Sequence, residues 1–366
     1  MMIYKLKFMK EECYKVCISF LFFIVTIFCA QAQTRVKVGA YYFDGWTGTY
    51  PNHITPVLTT SFSERMPKWG WYTSSQSIMD KQIKTASKAG ISFFSFCWYY
   101  PNKADFKNEP LNNSLKYFIQ SPVTQKMSFS LLVANHAGFL INKSNWSAVS
   151  EEWLSYFSVK NYLKVDNKPL LIFFSIHTLI QGFGSPEEVK IALDSLRSEA
   201  KKRGLAGLNI AICIDGVEKN IALAEQCGFD TITGYNYHGI AFSGAKREVP
   251  VHKLQIAEIK LWDKIKKTTN LPYIPVATLN WDPRPWANNG NDYGKAHYYI
   301  GFSPKTVQKS VFNCVQWINK NPIGTKSEKI VLLYAWNEYG EGAYLTPTKN
   351  GIDYLKYMKS TIDGIQ

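Results

Sequence analysis

Cysteine is sparse and unpatterned in this chain of 366 residues. There are seven, with no CxxC and no spacing that would frame a zinc site or a disulfide scaffold. GxGxxG and the P-loop are both missing, so a nucleotide site has no sequence signal. GxSxG is missing too, which leaves a serine nucleophile of the α/β-hydrolase kind without support. Charged residues are few, at 19%, whereas apolar residues reach 46%, which excludes wholesale disorder. No low-complexity linker divides the chain, and one domain is expected over residues 33–366.

Long hydrophobic runs are limited to Val16–Ala30. Lys5, Lys7, Lys10 and Lys15 precede it and Ala30-Gln31-Ala32 follows it. A basic start, a short apolar run and an A-x-A site make a secretory signal peptide over residues 1–32, with an uncleaved anchor as the alternative. The mature chain is then periplasmic or extracellular, with no membrane span. Cleavage removes four Lys and two Glu, so the net charge falls only from +14 to +12. It also removes three cysteines. Cys97, Cys213, Cys227 and Cys314 remain, either as buried thiols or with Cys213 bridged to Cys227.

The basic excess falls along helical stretches (Lys201-Lys202-Arg203, Lys260, Lys264, Lys266, Lys267). Scattered helix lysines are ordinarily solvated faces, so nucleic acid is not an expected partner. Attraction to an acidic polysaccharide is the functional alternative.

What is abundant is alternation. Apolar runs of strand length (35–43, 91–97, 127–134, 169–175, 208–214, 231–235, 273–278, 330–336) are separated by helical patterns (77–89, 111–119, 148–157, 186–203, 217–227, 251–267, 304–319, 351–360). Ser185, Pro186 and Glu188 spell the start of the fourth helix, with Glu188 placed to complete a capping box. Strands apolar on both faces require helices on both sides of a parallel sheet. A (β/α)8 TIM barrel is the expected fold, ahead of a doubly wound open sheet.

In such a barrel the active site lies where strands end. Those positions hold Tyr41, Tyr42, Asp44 and Trp46; Trp98 and Tyr99; Asn135 and His136; Asp215; Tyr235, Tyr237 and His238; Trp281, Asp282, Arg284 and Trp286; and Trp336 and Asn337. Aromatic faces pack on the C–H faces of sugars while amides and carboxylates bond hydroxyls, so these residues are candidate substrate-binding groups. Glu338 and Glu341 follow the last strand, and two neighbouring carboxyls supply the acid and base that glycoside cleavage needs. Gly340 and Gly342 would let that segment turn sharply. His136, His177 and His238 could hold a metal in principle, but no HxH or HExxH pattern accompanies them. No metal or cofactor is expected, and the expected partner is an oligo- or polysaccharide met by a monomer.

The segment WNEYGEGAYLTP (Trp336–Pro347) resembles the terminal motif of the glycoside hydrolase family 99-like proteins, which include the endo-α-mannosidases and a WbsX-like branch. GAYYFDGW, AGISFFSFCWYY, LLVANHAG, VDNKPLLIFF, GFDTITGYNYH and NWDPRPW agree in order along the chain. The resemblance implies a TIM barrel and retaining hydrolysis of an α-linked glycan. It implies that Glu338 deprotonates the sugar 2-hydroxyl, which closes a 1,2-anhydro sugar, and that Glu341 acts as general acid and then base. Asn135-His136-Ala137-Gly138 stands where the mannosidases carry an acidic motif, and Trp98-Tyr99-Tyr100 where they carry a tryptophan pair, which brings the chain nearer the WbsX-like branch. Two other readings stay open: a double-displacement glycosidase with Asp215 or Asp282 as nucleophile, and a non-catalytic glycan-binding protein.

Overall fold

The computed structural model describes residues 35–365, except 50–51, 104, 245, 289 and 322–327. The expected signal peptide lies outside the described residues. Eight parallel strands form the frame: β1 (Lys37–Tyr42), β2 (Phe93–Trp98), β3 (Ser128–Val133), β4 (Lys168–Phe173), β5 (Asn209–Cys213), β6 (Thr231–Thr233), β7 (Val276–Thr278) and β8 (Ile330–Tyr334). Pairing runs β6-β5-β4-β3-β2-β1-β8-β7. Ile232 bridges to the residues just before β7, donating to Pro272 O at 2.9 Å and accepting from Ile274 N at 2.9 Å. The ring of strands is thereby nearly closed, as expected of a (β/α)8 barrel.

Side chains alternate across each strand, and this decides what reaches the barrel mouth. On β1, Tyr41 points inward and its hydroxyl crosses to Gly234 O at 2.7 Å. Tyr42 points outward to Gln82 and Ser114 on the surrounding helices. On β2, Phe94 and Phe96 pack outward against Phe118, and Trp98 against Trp153. All of these rings are buried. This aromatic layer between strands and helices is where apolar burial stabilises the fold, at about 2–3 kcal/mol for each large side chain.

The helices start and stop on local chemistry. Pro304–Lys320 opens with a full capping box, Ser303 and Thr306 each bonding the other's backbone N–H. At Pro186–Lys202 the Ser185 hydroxyl caps Glu188 N as expected. The Glu188 carboxylate, however, pairs with Lys143 at 3.0 Å instead of completing a box. The final helix is Met358–Asp363 rather than 351–360. Thr348 Oγ1 accepts from Ile352 N and Asp353 caps Leu355 N, so residues 348–355 form turns that seat Tyr354 and Leu355 in the core. A helix at Ile176–Phe183 has no counterpart among the expected elements. Cys97, Cys213, Cys227 and Cys314 are all buried free thiols, so Cys213 and Cys227 are not bridged. Among the described residues no helix is long and apolar enough to cross a membrane.

Candidate active site

After β8 the chain makes a tight hairpin, with Asn337 opposite Tyr344 and Glu338 opposite Ala343. Its turn, Tyr339–Glu341, ends at Gly342 with φ 69°. A side chain is strained at that left-handed value, so the turn itself requires glycine. Gly340 is required by contact: a Cβ there would sit 1.9 Å from the Trp286 ring. Asn337 ties the hairpin to the end of β1, accepting from Phe43 N at 2.9 Å and donating to Phe43 O at 2.7 Å.

Glu338 and Glu341 both line a cavity of about 810 Å³ at the carboxyl ends of the strands. Its walls carry Phe43, Tyr99, Phe139, Phe174, Tyr235 and Trp286, with His53, Lys103, Glu109 and His136 among the polar groups. The Tyr235 hydroxyl donates to Glu338 Oε1 at 2.8 Å. Burial pushes Glu338 up and the Tyr235 bond pulls it partly back, to about 7. Glu341 is raised by burial to about 8, and its Oε2 is a buried oxygen with no hydrogen bond. An ordinary carboxyl is ionised at neutrality. Here one acid keeps its proton near pH 7 and the other is poised to lose it, which suits an acid–base pair. Burial lowers the basicity of His136 and so favours its neutral form. Its Nδ1 lies 3.0 Å from Ala137 O, which can only accept, so Nδ1 carries the proton and Nε2 remains an acceptor.

Of the candidate residues, Tyr99, His136, Tyr235, Trp286, Glu338 and Glu341 meet in this cavity. Tyr41 lies in the barrel interior with its ring 5.1 Å from Tyr235. The others are not cavity-lining. Tyr42, Trp98 and Trp336 lie behind the strands, Trp336 donating to Gln82 Oε1 at 2.6 Å. Asp44 is buried against Ser74 and Ser114 N, and burial raises it to about 7. Asn135 accepts from Phe174 N and Ser175 N and donates to Ser175 O. Asp215 is exposed and caps Val217 N. Tyr237 bonds Tyr273, and His238 stacks on Trp281 with centroids 3.9 Å apart. Asp282 is held by Arg65 and Arg284. Trp46 is buried against Tyr339 and stacked near Trp286.

The five tryptophans near strand ends therefore serve mostly as packing, because only Trp286 lines the cavity. Sequence reasoning passed over Phe43, Cys97, Phe139 and Phe174 on the walls and His53, Lys103, Glu109 and Tyr293 on the loops. For Cys97 and Phe174 the signal was present, since each falls on the inward register of its strand. His136, His177 and His238 do not come together, and among the described residues no metal-holding cluster of His, Cys, Asp or Glu occurs.

Known proteins agree with this architecture. A solved glycoside hydrolase-like protein superposes with a TM-score of 0.63 at 15% identity, covering 92% of this chain and 95% of that one. The GH99 endo-α-mannosidase of Bacteroides thetaiotaomicron superposes with a TM-score of 0.59 at 12% identity, covering 90% of this chain and 97% of that one. At these identities the likeness establishes the fold. Among curated sequences, protein WxcX of Xanthomonas campestris pv. campestris is 22% identical over 293 residues, which are 74% of this chain and 39% of WxcX. The chain thus spans about two fifths of the length of that relative. The family model described as "Glycosyltransferase WbsX" matches residues 44–358, and the chain belongs to that family.

Proposed function

We propose that the protein is a secreted, retaining glycoside hydrolase that cleaves an α-linked glycan through participation of the sugar 2-hydroxyl. The observation that carries this reading is the pair Glu338 and Glu341, three residues apart on one turn and both facing one cavity, with titration raised to about 7 and about 8. Glu338 would take the 2-hydroxyl proton as that oxygen attacks the anomeric carbon. Glu341 would give its proton to the leaving oxygen, then take one from the water that opens the 1,2-anhydro sugar, while Glu338 returns its proton to O2 as the C1–O2 bond breaks. Tyr235 would steady the carboxylate form of Glu338 through its hydrogen bond.

The carboxylates elsewhere support a mechanism without an aspartate nucleophile. Asp215 is on the surface and Asp282 is held between two guanidinium groups, and neither lines the cavity. The family's description names a transferase, but a nucleotide-sugar donor needs cationic or N–H groups for its pyrophosphate. Among the described lining residues, Lys103 is the one Lys or Arg, and it is exposed. That poverty favours a neutral glycan.

The test is a glycan panel incubated with the mature protein, followed by product mass and anomeric configuration. Glu338→Gln and Glu341→Gln are expected to lower kcat by about 10²–10⁴ with the fold intact. Asp215→Asn is expected to turn over as the wild type does. Inversion of configuration, or near-wild-type turnover in both glutamine variants, would sink the reading.

A further inference from the structure

The turn that carries the two acids is held from outside the cavity by a group that no sequence pattern picked out. Arg65 ends a short 3-10 helix, Ser63–Arg65, and its side chain is buried. Its Nη1 donates to Tyr339 O at 3.0 Å and to Asp282 O at 3.1 Å, while Nη2 bonds Asp282 Oδ2. One planar guanidinium thus ties the acid turn to the segment after β7.

Two further bonds join the same two segments. Asp282 N donates to Glu341 O at 2.7 Å, and Asn280 Nδ2 donates to Gly342 O at 2.8 Å. Carbonyls of Tyr339, Glu341 and Gly342 are therefore all engaged. Arg284 completes the clamp from the other side of Asp282, at 2.7 Å to Oδ1 and 2.9 Å to Oδ2. Contact is tight as well: a Cβ on Gly342 would lie 3.0 Å from Arg65 Nη1. Burial alone would raise Asp282, but Arg284 and Arg65 override it and hold this carboxyl below its usual range. The clamp stays charged wherever the acids work.

We propose that Arg65, which does not line the cavity, is a positioning residue for Glu341, fixing the Tyr339–Gly342 turn against the end of β7 through its forked bonds to Tyr339 O and Asp282. The inference rests on the reading of Glu341 as the proton donor. Lysine keeps the charge but cannot span two carbonyls and a carboxylate with fixed geometry, so the fork is what matters. With the fork gone the turn relaxes, the buried Oε2 of Glu341 becomes exposed to the water of the cavity, and the carboxyl moves back toward ordinary acidity.

The test needs no substrate. Full-length mature protein with ¹³C-carboxyl-labelled glutamate is titrated by NMR, the two resonances being assigned with Glu338→Gln and Glu341→Gln. Arg65→Met and Arg65→Lys are compared with the wild type, each checked for cooperative thermal unfolding. The Glu341 midpoint, about 8 in the wild type, is expected to fall by roughly one pH unit or more in both variants, the equivalent of a tenfold change in its ionisation constant. The Glu338 midpoint is expected to stay within a few tenths. A folded Arg65→Met protein with an unmoved Glu341 midpoint overturns the proposal. So does equal movement of both acids, which would mark a general loosening, and so does failure of both variants to fold, which would make Arg65 a folding residue. A glycan panel without turnover in the wild type would count against the hydrolase reading and leave this titration standing.

Discussion

Removing one hydroxyl, in Tyr235→Phe, tests the acid–base assignment directly. Tyr235 Oη donates to Glu338 Oε1 at 2.8 Å, and the ring is held edge-on between Phe174 and Tyr334, with centroids 5.2 and 4.8 Å away. Phenylalanine keeps those ring contacts and deletes the bond, together with the weaker contact of the hydroxyl to Cys97 Sγ at 3.7 Å. A hydrogen bond to a charged group contributes about 1.5–3 kcal/mol, which moves a titration by roughly one to two pH units. The bond favours the carboxylate, so its loss moves Glu338 upward from about 7. At pH 7 the ionised fraction then drops from roughly one half to between about a tenth and a hundredth. If Glu338 is the base, kcat/KM at pH 7 falls about five- to fifty-fold. The wild-type profile should be a bell, rising through about 7 and falling through about 8 as Glu341 loses its proton. In the variant the rising limb moves toward or past the falling one, so raising the pH restores only part of the rate. The assay is kcat/KM from pH 5 to 10 on any glycan the wild type cleaves. A uniform loss at every pH with the rising limb unmoved would show that Tyr235 only binds substrate, and the assignment of Glu338 would fail.

Glu341 also couples the site to stability. Its folded-state titration lies above the ordinary 4.5, so its contribution is fully present below that value and is lost as pH rises through about 8. Because the group faces the cavity, about 1–3 kcal/mol is expected in place of the full linkage, and urea unfolding at pH 5 and pH 9 should show the wild type losing that much more than Glu341→Gln. In Gly340→Ala the new Cβ meets the Trp286 ring, so overpacking of about 1–3 kcal/mol and a displaced Trp286 should appear as a lower Tm and altered tryptophan fluorescence. Cys97, Cys213, Cys227 and Cys314 should resist a disulfide reagent in the native protein and all react in denaturant; two of these four remaining unreactive would mean a Cys213–Cys227 bridge.

The barrel was legible because its signal is redundant. Eight apolar runs alternating with eight helical patterns leave few other ways to bury both faces of the strands. Glu338 and Glu341 were legible because they are neighbours in sequence and follow the last strand. Much of the remaining site was not, and the reason is register. A strand end presents every second residue to the barrel and the rest to the helices. Cys97 and Tyr99 line the cavity while Trp98 between them packs on Trp153; Tyr41 faces inward while Tyr42 bonds Gln82. Naming whole strand ends therefore mixed cavity with scaffold. Counting in twos from the strand would have set Trp98 and Tyr42 aside.

The same division gives the aromatic richness two jobs. Large outward rings close the gap between strands and helices, and the buried tryptophans Trp98, Trp153 and Trp336 belong to that layer. A smaller inward set makes the apolar walls that keep two carboxyls out of bulk water and so raise their titration toward neutrality. The aromatics thus bear on the chemistry through the acidity of Glu338 and Glu341 as well as through any sugar they touch. Arg65 shows the limit of such reading. It comes from the connection between β1 and the first long helix, 217 residues from its partner Asp282, and only the closed fold brings the two together.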